Sequence, residues 1–238
     1  MNISVSHYTS KGGRKKNEDN LSVSSNQSGA LAVVADGLGG HGDGEVASLV
    51  AVQRLIRELS NQEVTTDRMK IAMERVNNSV RWEQEMKNSD MKTTIAAVWL
   101  ENGKAVISHV GDSRIYHFRD GKIIFQSLDH SVSQMAVKVG EISRNEIRGH
   151  IDRNKLLRAL GMSQQIRADI TGREIFSGDA FLLCTDGFWE LIHEREMEED
   201  LKKSATVSEW ILFMKQRVES RMKENADNHT AIGILLNE

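Results

Sequence analysis

The sequence predicts an α+β fold in which antiparallel sheets pack against pairs of helices. Hydrophobic residues make up 39% of the 238 residues, which is enough for a sizeable core. Short apolar runs are joined through Asn102-Gly103 and Asp120-Gly121, dipeptides that are typical of tight β-hairpins. Between residues 44 and 88, by contrast, apolar residues recur at helical spacing. Hairpins and paired helices without a βαβ series indicate an antiparallel α+β arrangement.

In the first part of the chain, the hydrophobic pattern predicts three short strands followed by two helices. The strands are expected over residues 2–9, 20–25 and 30–35. A helix with Asp43 as its N-cap is expected from Gly44 to Leu59, where apolar residues recur every third or fourth position. The same spacing predicts a second helix over about residues 66–88, so the two helices are expected to lie together.

The middle of the chain combines a predicted antiparallel meander with a polar, irregular segment. The four strands of the meander are expected over residues 93–100, 104–110, 113–119 and 122–127. The polar segment 129–152 is expected to hold short helices at 132–139 and 143–149. A further helix is predicted over 153–160, and Gly161 is expected to end it.

The last part of the chain alternates predicted strands with a long helix. The strands are expected over residues 166–172, 179–185 and 230–236. Thr206 and Glu209 have the spacing of a capping box, so a helix is expected from there to about residue 224. The charged run from Glu194 to Asp200 is interpreted as a solvated helical face. Because no linker, repeat or low-complexity segment interrupts the chain, we predict one domain over residues 1–238.

Charge and composition argue against several classes of protein. The formal net charge is -3 and there is no basic block, so nucleic acid is not expected as a partner. The N-terminal stretch lacks the basic and apolar regions of a signal peptide, and no apolar run approaches the roughly 18 residues of a membrane span. Cys184 is the only cysteine and cannot form an internal disulfide, which fits a reducing compartment. We therefore expect a cytoplasmic protein.

Acidic residues recur where the predicted strands begin or end. The apolar run Leu31–Ala35 ends at Asp36, and glycine occupies five of the next eight positions. On its own, Asp36 is an ordinary turn residue, because Asp-Gly is a common turn signal. An acidic residue also stands at the border of a predicted strand at Asp112, Asp186, Asp227 and Glu18-Asp19. This repetition favours a shared site, although sequence spacing alone does not place the residues together.

If these carboxylates converge, they must take up protons or bind cations. Two carboxylates about 4 Å apart repel by roughly 4 kcal/mol at an effective dielectric constant near 20. Oxygen ligands favour Mg²⁺, Mn²⁺ or Ca²⁺ over zinc. Two such ions that share a carboxylate form the two-metal arrangement used for phosphoryl hydrolysis.

Seven motifs occur in the order that is found in one known family. They are Arg14-x-x-Asn17-Glu18-Asp19, Val34-Ala35-Asp36-Gly37-Leu38-Gly39-Gly40-His41, His109-Val110-Gly111-Asp112-Ser113-Arg114, Leu128-Asp129-His130-Ser131, Arg158-Ala159-Leu160-Gly161, Asp179-x-Phe181-Leu182-Leu183-Cys184-Thr185-Asp186-Gly187 and Asp227-Asn228-x-Thr230. Over roughly residues 5–236, the chain resembles the compact bacterial form of the metal-dependent Ser/Thr protein phosphatases of type 2C, the PPM family. The resemblance implies a four-layer α-β-β-α sandwich, in which two antiparallel sheets lie between helix pairs.

The resemblance also implies a site for two Mn²⁺ or Mg²⁺ ions. Asp36 would bridge the two ions, and the Gly37 carbonyl and Glu18 would complete the protein ligands of one of them. Asp186 and Asp227 would hold the other ion. This ligand set is the two-metal arrangement expected above on chemical grounds.

Further roles follow from the same resemblance. Asp112, together with Asp186, would form a third and weaker metal site. Asp19 would orient metal-bound water, and the planar guanidinium group of Arg14 would bind two phosphate oxygens. The implied reaction is hydrolysis of phosphoserine and phosphothreonine by direct attack of water activated by two metal ions. The implied partners are phosphoproteins and a Ser/Thr kinase whose action is reversed, and a monomer is expected.

Other functions fit the sequence less well. A catalytically silent, phosphatase-like binding module is disfavoured because such modules usually lose metal-binding acids, which are retained here. A calcium-binding structural domain is disfavoured because no Asp-rich loop has the EF-hand spacing. Cys184 is interpreted as a small core residue, since this reaction needs no phosphoenzyme. A Ser/His/Asp triad at Asp129-His130-Ser131 is disfavoured because adjacent residues of one turn rarely face one another.

One position departs from the family pattern, and two interpretations stay open. Many eukaryotic relatives carry histidine directly after the Asp-Gly pair, as a proposed general acid, whereas this chain has Leu38. His41 is either that acid or an exposed or structural histidine, and metal-bound water is the other candidate proton donor. The segment 131–152 is either the family's variable flap, which influences substrate choice, or a plain surface loop.

Overall fold

The strands form two antiparallel sheets in the computed structural model, which describes residues 2–25, 29–39 and 43–237. In chain order the strands are β1 (Asn2–Ser10), β2 (Asp19–Ser25), β3 (Gly29–Leu38), β4 (Lys92–Thr93), β5 (Ile95–Glu101), β6 (Lys104–Val110), β7 (Arg114–Arg119), β8 (Lys122–Gln126), β9 (Asp169–Glu174), β10 (Ala180–Cys184) and β11 (His229–Asn237). One sheet has the order β1-β11-β10-β7-β8, and the other has the order β2-β3-β5-β6-β9, with β4 paired to β3.

The longer helices cover the outer faces of the two sheets. In chain order the helices are α1 (Gly44–Leu59), α2 (Thr66–Lys87), α3 (Val132–Lys138), a 3-10 helix (Arg144–Gly149), α4 (Asp186–Trp189), α5 (Glu194–Lys203) and α6 (Val207–Arg221). Helices α1 and α2 pack on the sheet that contains β3, whereas α5 and α6 pack on the sheet that contains β11. The predicted four-layer α-β-β-α sandwich is therefore confirmed. None of the helices in the described ranges has the length and apolar character needed to span a lipid bilayer.

Strand β3 shows how the layers are built. Leu31 and Val33 pack in the core beneath α1 and α2, whereas Ala32 and Val34 pack in the core between the two sheets. This alternation follows from the two-residue period of a strand, and both faces are apolar because both are covered. Burial of each Val or Leu side chain contributes roughly 1.5–3 kcal/mol. The strand is thus a rigid support for Asp36 near its end.

The strand register brings the predicted acids to one end of the sandwich. Asp19 at the start of β2 is paired with Asp36 near the end of β3. In the other sheet, β10 and β11 are antiparallel neighbours. The residues that follow β10 and those that precede β11 therefore leave the same sheet end, and they include Asp186 and Asp227.

Residues 153–160 do not form the predicted helix, and that prediction is wrong. Leu156 forms an isolated bridge with Ser131, and Leu160 forms one with Thr93. The Leu157 N–H also donates to the carbonyl of His130 at 2.7 Å. These tertiary backbone bonds take the place of the local bonds of a helix, since packing overrides a weak helical preference.

The four strands predicted as one antiparallel meander form two hairpins in different sheets, β5–β6 in one and β7–β8 in the other, so that prediction is wrong. Smaller differences concern element borders and one charged residue. The strand predicted over 166–172 lies at Asp169–Glu174, and the last long helix ends at Arg221. Asp43 directly precedes α1, but its side chain makes no capping hydrogen bond to the described part of that helix. Asp200, predicted to lie on a solvated face, is instead buried, and both its carboxylate oxygens accept hydrogen bonds from Arg217.

Candidate active site

The predicted site residues lie together around one cleft at the end of the sandwich. The cleft has a volume of about 530 Å³, and the predicted residues that line it are Arg14, Glu18, Asp36, Gly37, Asp112, Asp186 and Asp227. Asp19 is buried beside Asp36, its partner in the β2–β3 ladder. A groove of about 590 Å³ between α1 and α2 is slightly larger, but none of the predicted residues lines it. The convergence inferred from the sequence is therefore observed.

Asp36 is held at the end of β3 by two threonines. Its N–H donates to Thr94 Oγ1 at 2.9 Å, and its carbonyl accepts hydrogen bonds from Thr93 Oγ1 at 2.8 Å and Thr94 N at 2.9 Å. The next residue must be glycine, because a Cβ on Gly37 would lie 2.1 Å from the Gly44 carbonyl oxygen. The start of α1 thus packs directly against the backbone that follows Asp36.

The loop that carries Arg14 and Glu18 is anchored by Asn228, to which the sequence analysis assigns no role. Asn228 Oδ1 accepts a hydrogen bond from Glu18 N at 2.8 Å. Its Nδ2 donates to the carbonyls of Lys11 and Lys16 at 2.8 Å and 2.9 Å. The signal that could have identified Asn228 is its place in the last of the seven motifs.

Burial and mutual repulsion raise the pKa of the acids in this region. Burial is the main cause of the raised pKa of Asp36 and Asp112, and the charge of Asp186 adds to it. Burial also raises the pKa of Asp19 to about 7, with a further contribution from nearby carboxylates. The pKa of Asp186 is raised to about 7 by burial and by acidic neighbours. Four carboxyl groups thus resist ionisation unless a cation joins them.

Glu190 is a second residue that the sequence analysis misses. After burial, its charge is the largest cause of the raised pKa of Asp186. It follows Asp186 by four residues, and its N–H donates to the Asp186 carbonyl at 2.9 Å. Its carboxylate accepts a hydrogen bond from Arg153 Nε at 2.7 Å. A helical spacing of four from a predicted ligand is the signal that could have found it.

The donor atoms of the cleft fit divalent cations that prefer oxygen. Asp19 Oδ2 accepts a hydrogen bond from Thr185 Oγ1 at 2.8 Å, whereas its buried Oδ1 has no partner within the described part of the chain. A buried oxygen without a partner is costly unless a proton, water or cation approaches it. Carboxylates and the Gly37 carbonyl form a set that suits Mn²⁺ or Mg²⁺.

The cleft acids are spread out and do not surround one point. Within the described ranges, three ligating side chains whose ligand atoms lie within 4.8 Å of one another occur at His109, His130 and Asp169, outside the cleft. No such trio is found among the described residues of the cleft, so these acids do not form a compact three-ligand site for one ion in the absence of metal.

Arg14 forms an ion pair with Asp227 at the mouth of the cleft. Its Nη2 donates to Asp227 Oδ2 at 2.7 Å, and the two side chains are 55% and 41% exposed. An exposed pair of this kind contributes about 0–1 kcal/mol, so either member can exchange its partner at little cost. Arg14 is thus available to an anion, and Asp227 to a cation. Lys15 and Lys16 line the same cleft and add positive charge around Arg14.

The remaining predictions have different outcomes. Leu38 lines the cleft, whereas His41 falls within residues 40–42, outside the described ranges, so both interpretations of His41 stay open. Cys184 is fully buried on β10 and burial raises the pKa of its thiol, which confirms a core residue. Beside the polar segment 131–152, the cleft wall is formed by Asn154 and Leu156.

Comparisons with known proteins agree with this geometry. Residues 7–227 match the family described as "Protein phosphatase 2C". The serine/threonine phosphatase stp of Listeria monocytogenes serotype 4b (strain F2365) is 36% identical over 206 residues, which cover 82% of this chain and 81% of that protein. The Mycobacterium tuberculosis serine/threonine phosphatase PstP/Ppp has a similar structure, with a TM-score of 0.88 and 28% identity over 99% of both chains. The catalytic domain of PstP in complex with two manganese ions matches with a TM-score of 0.84 and 26% identity over 99% of both chains.

Proposed function

The chain belongs to the protein phosphatase 2C family, and from this premise we propose that it is a metal-dependent phosphatase acting on phosphoserine and phosphothreonine in proteins. The observation that carries the proposal is the convergence of five carboxyl groups on one cleft that also contains Arg14. Burial and neighbouring carboxylates raise the pKa of Asp36, Asp112 and Asp186, as expected for acids that need a bound cation in order to be ionised together. Divalent cations bound there attract a phosphate dianion, which the acids alone would repel.

The proposed ligands of two Mn²⁺ or Mg²⁺ ions are the residues that the sequence predicted. Asp36 would be shared by both ions, the Gly37 carbonyl and Glu18 would hold one, and Asp186 and Asp227 would hold the other. Asp112 lines the same cleft, and with Asp186 it would hold a third ion more weakly. When bound, the ions supply Lewis acidity, which lowers the pKa of a water to give the nucleophile.

The protein itself binds the phosphate and orients the attacking water. Arg14 leaves its exposed pair with Asp227 and donates to two phosphate oxygens, which a planar guanidinium group does well. Asp19 Oδ1, unpaired among the described residues, accepts a hydrogen bond from a water in the cleft and so directs it. Leu38 and Leu156 line the same cleft and limit access of bulk water.

The proposed partners follow from the reaction. The substrates are phosphoproteins, and the partner enzyme is a Ser/Thr kinase whose products are hydrolysed. We further propose one catalytic domain over residues 1–238, which acts as a monomer in the cytoplasm. A silent binding module is less well supported, because every predicted metal ligand is present and lies at one cleft.

The proposal is tested by hydrolysis of p-nitrophenyl phosphate and of a phosphothreonine peptide. We expect turnover with Mn²⁺, none with EDTA, and a loss on the order of 10³-fold in Asp36→Asn, because the shared ligand is removed. Calorimetric titration with Mn²⁺ should show weakened binding in the same variant.

A matched control is Asp200→Asn, which changes a buried acid of α5 that is bound to Arg217 of α6 and does not line the cleft. This variant should lose stability and keep metal-dependent turnover. Binding of Mn²⁺ by the intact protein without any turnover on either substrate would favour the binding module instead.

A further inference from the structure

The Asp129-His130 pair, which does not form a triad, lies directly behind the metal ligand Asp112. The main-chain N–H of His130 donates to the Gly111 carbonyl at 2.9 Å. In return, the Gly111 N–H donates to His130 Nδ1 at 3.2 Å. The histidine thus binds both polar backbone groups of the residue that precedes Asp112.

These contacts define the tautomer of the His130 ring. A backbone N–H can only donate, so Nδ1 must carry a lone pair and a neutral ring carries its proton on Nε2. Nε2 lies 3.3 Å from Asp169 Oδ1, which can accept that proton's hydrogen bond. Arg158 Nη1 lies 3.2 Å from Nε2 and also donates to Asp169 Oδ1, so this carboxylate oxygen accepts from both groups in the Nε2-protonated tautomer. Burial is the main cause that lowers the pKa of His130 to about 4, so the ring is neutral near pH 7. The ring is also stacked on His109 at 4.6 Å between centroids.

The same tautomer argues against a metal site at His109, His130 and Asp169. Their ligand atoms lie close enough together, but a metal ion needs the lone pair of Nε2, where the proton resides. Metal binding at Nε2 would place a proton on Nδ1, opposite the Gly111 N–H. The Arg158 Nη1 atom, 3.2 Å from Asp169 Oδ1, would also repel a cation. The cluster is therefore better suited to hold Gly111 than to bind an ion.

The backbone at Gly111 must be restrained by contacts from other residues. Its φ is +103°, and a Cβ there would lie 2.6 Å from Thr94 Cγ2, so glycine is required. Glycine leaves the chain flexible at this position, yet the next residue, Asp112, is buried. External hydrogen bonds must therefore fix where the Asp112 carboxylate lies.

A second series of contacts restrains the backbone of Asp112 itself, and it begins at Asp129. Asp129 accepts two hydrogen bonds from Arg114, and the Arg114 guanidinium lies 3.4 Å from the centre of the Trp189 ring. Trp189 Nε1 then donates to the Asp112 carbonyl at 2.9 Å. Asp129 and His130 thus support the two sides of one glycine-aspartate turn.

We propose that His130 is a positioning residue for Asp112, and that its Nδ1 bond to Gly111 sets the affinity of the cleft for its weakest divalent cation. The proposal rests on the proposed function, in which Asp112 contributes to that site. His130 also connects the turn to the cleft wall, because its carbonyl accepts from Leu157 N beside Leu156. It touches neither phosphate nor metal ion.

Two isosteric variants of the full chain separate positioning from packing. In His130→Asn, the amide oxygen occupies the place of Nδ1 and can accept from Gly111 N–H. In His130→Gln, the polar group reaches the place of Nε2 and leaves Gly111 without its acceptor. By calorimetric titration of metal-free protein with Mn²⁺, we expect His130→Gln to weaken the weakest site about tenfold, or ~1.4 kcal/mol. His130→Asn should stay within about threefold of the parent.

His109→Gln is the matched control. It changes the other ring of the same stacked pair, keeps a donor for the Leu128 carbonyl that His109 Nε2 now contacts at 2.8 Å, and does not touch Gly111. It should lower thermal stability and leave all Mn²⁺ affinities unchanged. Folded His130→Gln with the Mn²⁺ affinities of the parent would overturn the proposal, as would a His130→Asn variant as weak as His130→Gln.

A measurement on the unmodified protein keeps the proposal testable if the variants do not fold. Nitrogen chemical shifts of the His130 ring in metal-free protein should show a proton on Nε2 and none on Nδ1, and the Gly111 amide should exchange slowly. A proton on Nδ1 would overturn the proposal. Metal binding without phosphatase turnover would overturn the proposed function alone, since the comparison of His130→Asn with His130→Gln needs no turnover.

Discussion

The two ends of β10 carry acids with opposite properties, the buried Asp179 and the half-buried Asp186. Asp179 precedes the strand and Asp186 follows it. Burial alone would raise the pKa of Asp179, but hydrogen bonds from Arg119 and from the Phe176 N–H outweigh it and lower that pKa. At the other end, burial and acidic neighbours raise the pKa of Asp186 to about 7.

The pKa values of Asp179 and Asp186 shift in opposite directions because the fold places an arginine against Asp179 and acidic residues beside Asp186. Arg119 donates to both carboxylate oxygens of Asp179 at 2.8 Å, and His117 Nε2 lies 3.0 Å from one of them. The Gly187 N–H donates to the Asp186 carboxylate at 2.6 Å, and the charged neighbours that most raise the pKa of Asp186 are Glu190 and Asp227. A buried acid with its own guanidinium is structural, whereas one set among other acids is suited to a metal ion.

The largest expected effect comes from removing the acid at the metal end. Asp186→Asn should lower kcat/KM for p-nitrophenyl phosphate with Mn²⁺ by on the order of 10²–10³-fold, because a metal ligand is lost. The same change should stabilise the metal-free protein at pH 8, because it removes a buried charge without a cation. Urea unfolding in EDTA measures the second effect. Equal stability and unchanged turnover would contradict the contrast between the two strand ends.

The next largest effect is expected at the structural end. Asp179→Asn should lower the free energy of unfolding by about 3 kcal/mol, because it leaves buried donors of Arg119 and His117 without their acceptor charge. Its kcat/KM should stay within about twofold of the parent. Asp120→Asn is a control, since Asp120 is exposed in the adjacent hairpin and asparagine also tolerates its φ of +51°. A large loss of turnover in Asp179→Asn would contradict the distinction between a structural acid before β10 and a metal-binding acid after it.

The smallest effect is the pH dependence of the metal-free protein. Asp19 and Asp186 have pKa values raised to about 7, so the stability from their protonated forms is complete below the unfolded-state pKa and is lost as pH rises. We expect the unfolding free energy to fall as the pH rises from 5 to 8. Saturating Mn²⁺ should remove this decline.

Asp179 should show the reverse pH dependence. Because its pKa is lowered, its contribution is present above the unfolded-state value and is lost as pH falls through the folded-state value, below about pH 4. Urea unfolding at a series of pH values, with EDTA or with Mn²⁺, measures both the loss of stability as the pH rises and the loss as the pH falls. A metal-free stability that rises between pH 5 and 8 would contradict the raised pKa values.

Local signals predicted the fold where each element needs only its own residues. The hairpins at Asn102-Gly103 and Asp120-Gly121 are confirmed, and all four residues have positive φ, as tight hairpin turns require. The two long helices begin and end within about one residue of their expected limits, since their apolar faces repeat over several turns. Asp36 and Asp186 were identifiable because an apolar strand, an acid and a glycine stand next to one another.

Residues whose environment depends on distant partners were not predictable in the same way. The segment 153–160 is extended because it bonds to Thr93 and Ser131, and neither bond is visible in its own sequence. Asp200 is buried because Arg217, on the next helix, binds it with two hydrogen bonds. Asn228 holds the Glu18 loop from the far end of the chain. Each case requires the tertiary fold before the role of the residue can be seen.

The position of β11 determines when this protein can become active during its synthesis. The strand lies between β1 and β10, and its pairing with β1 joins Asn2 to Asn237. Until β11 leaves the ribosome, β1 has no neighbour in its sheet, and Asp227 and Arg14 remain apart. Contacts so distant in sequence form late and slowly. The Arg14–Asp227 pair, and the cleft mouth that it forms, therefore require β11 to have been synthesised and paired with β1.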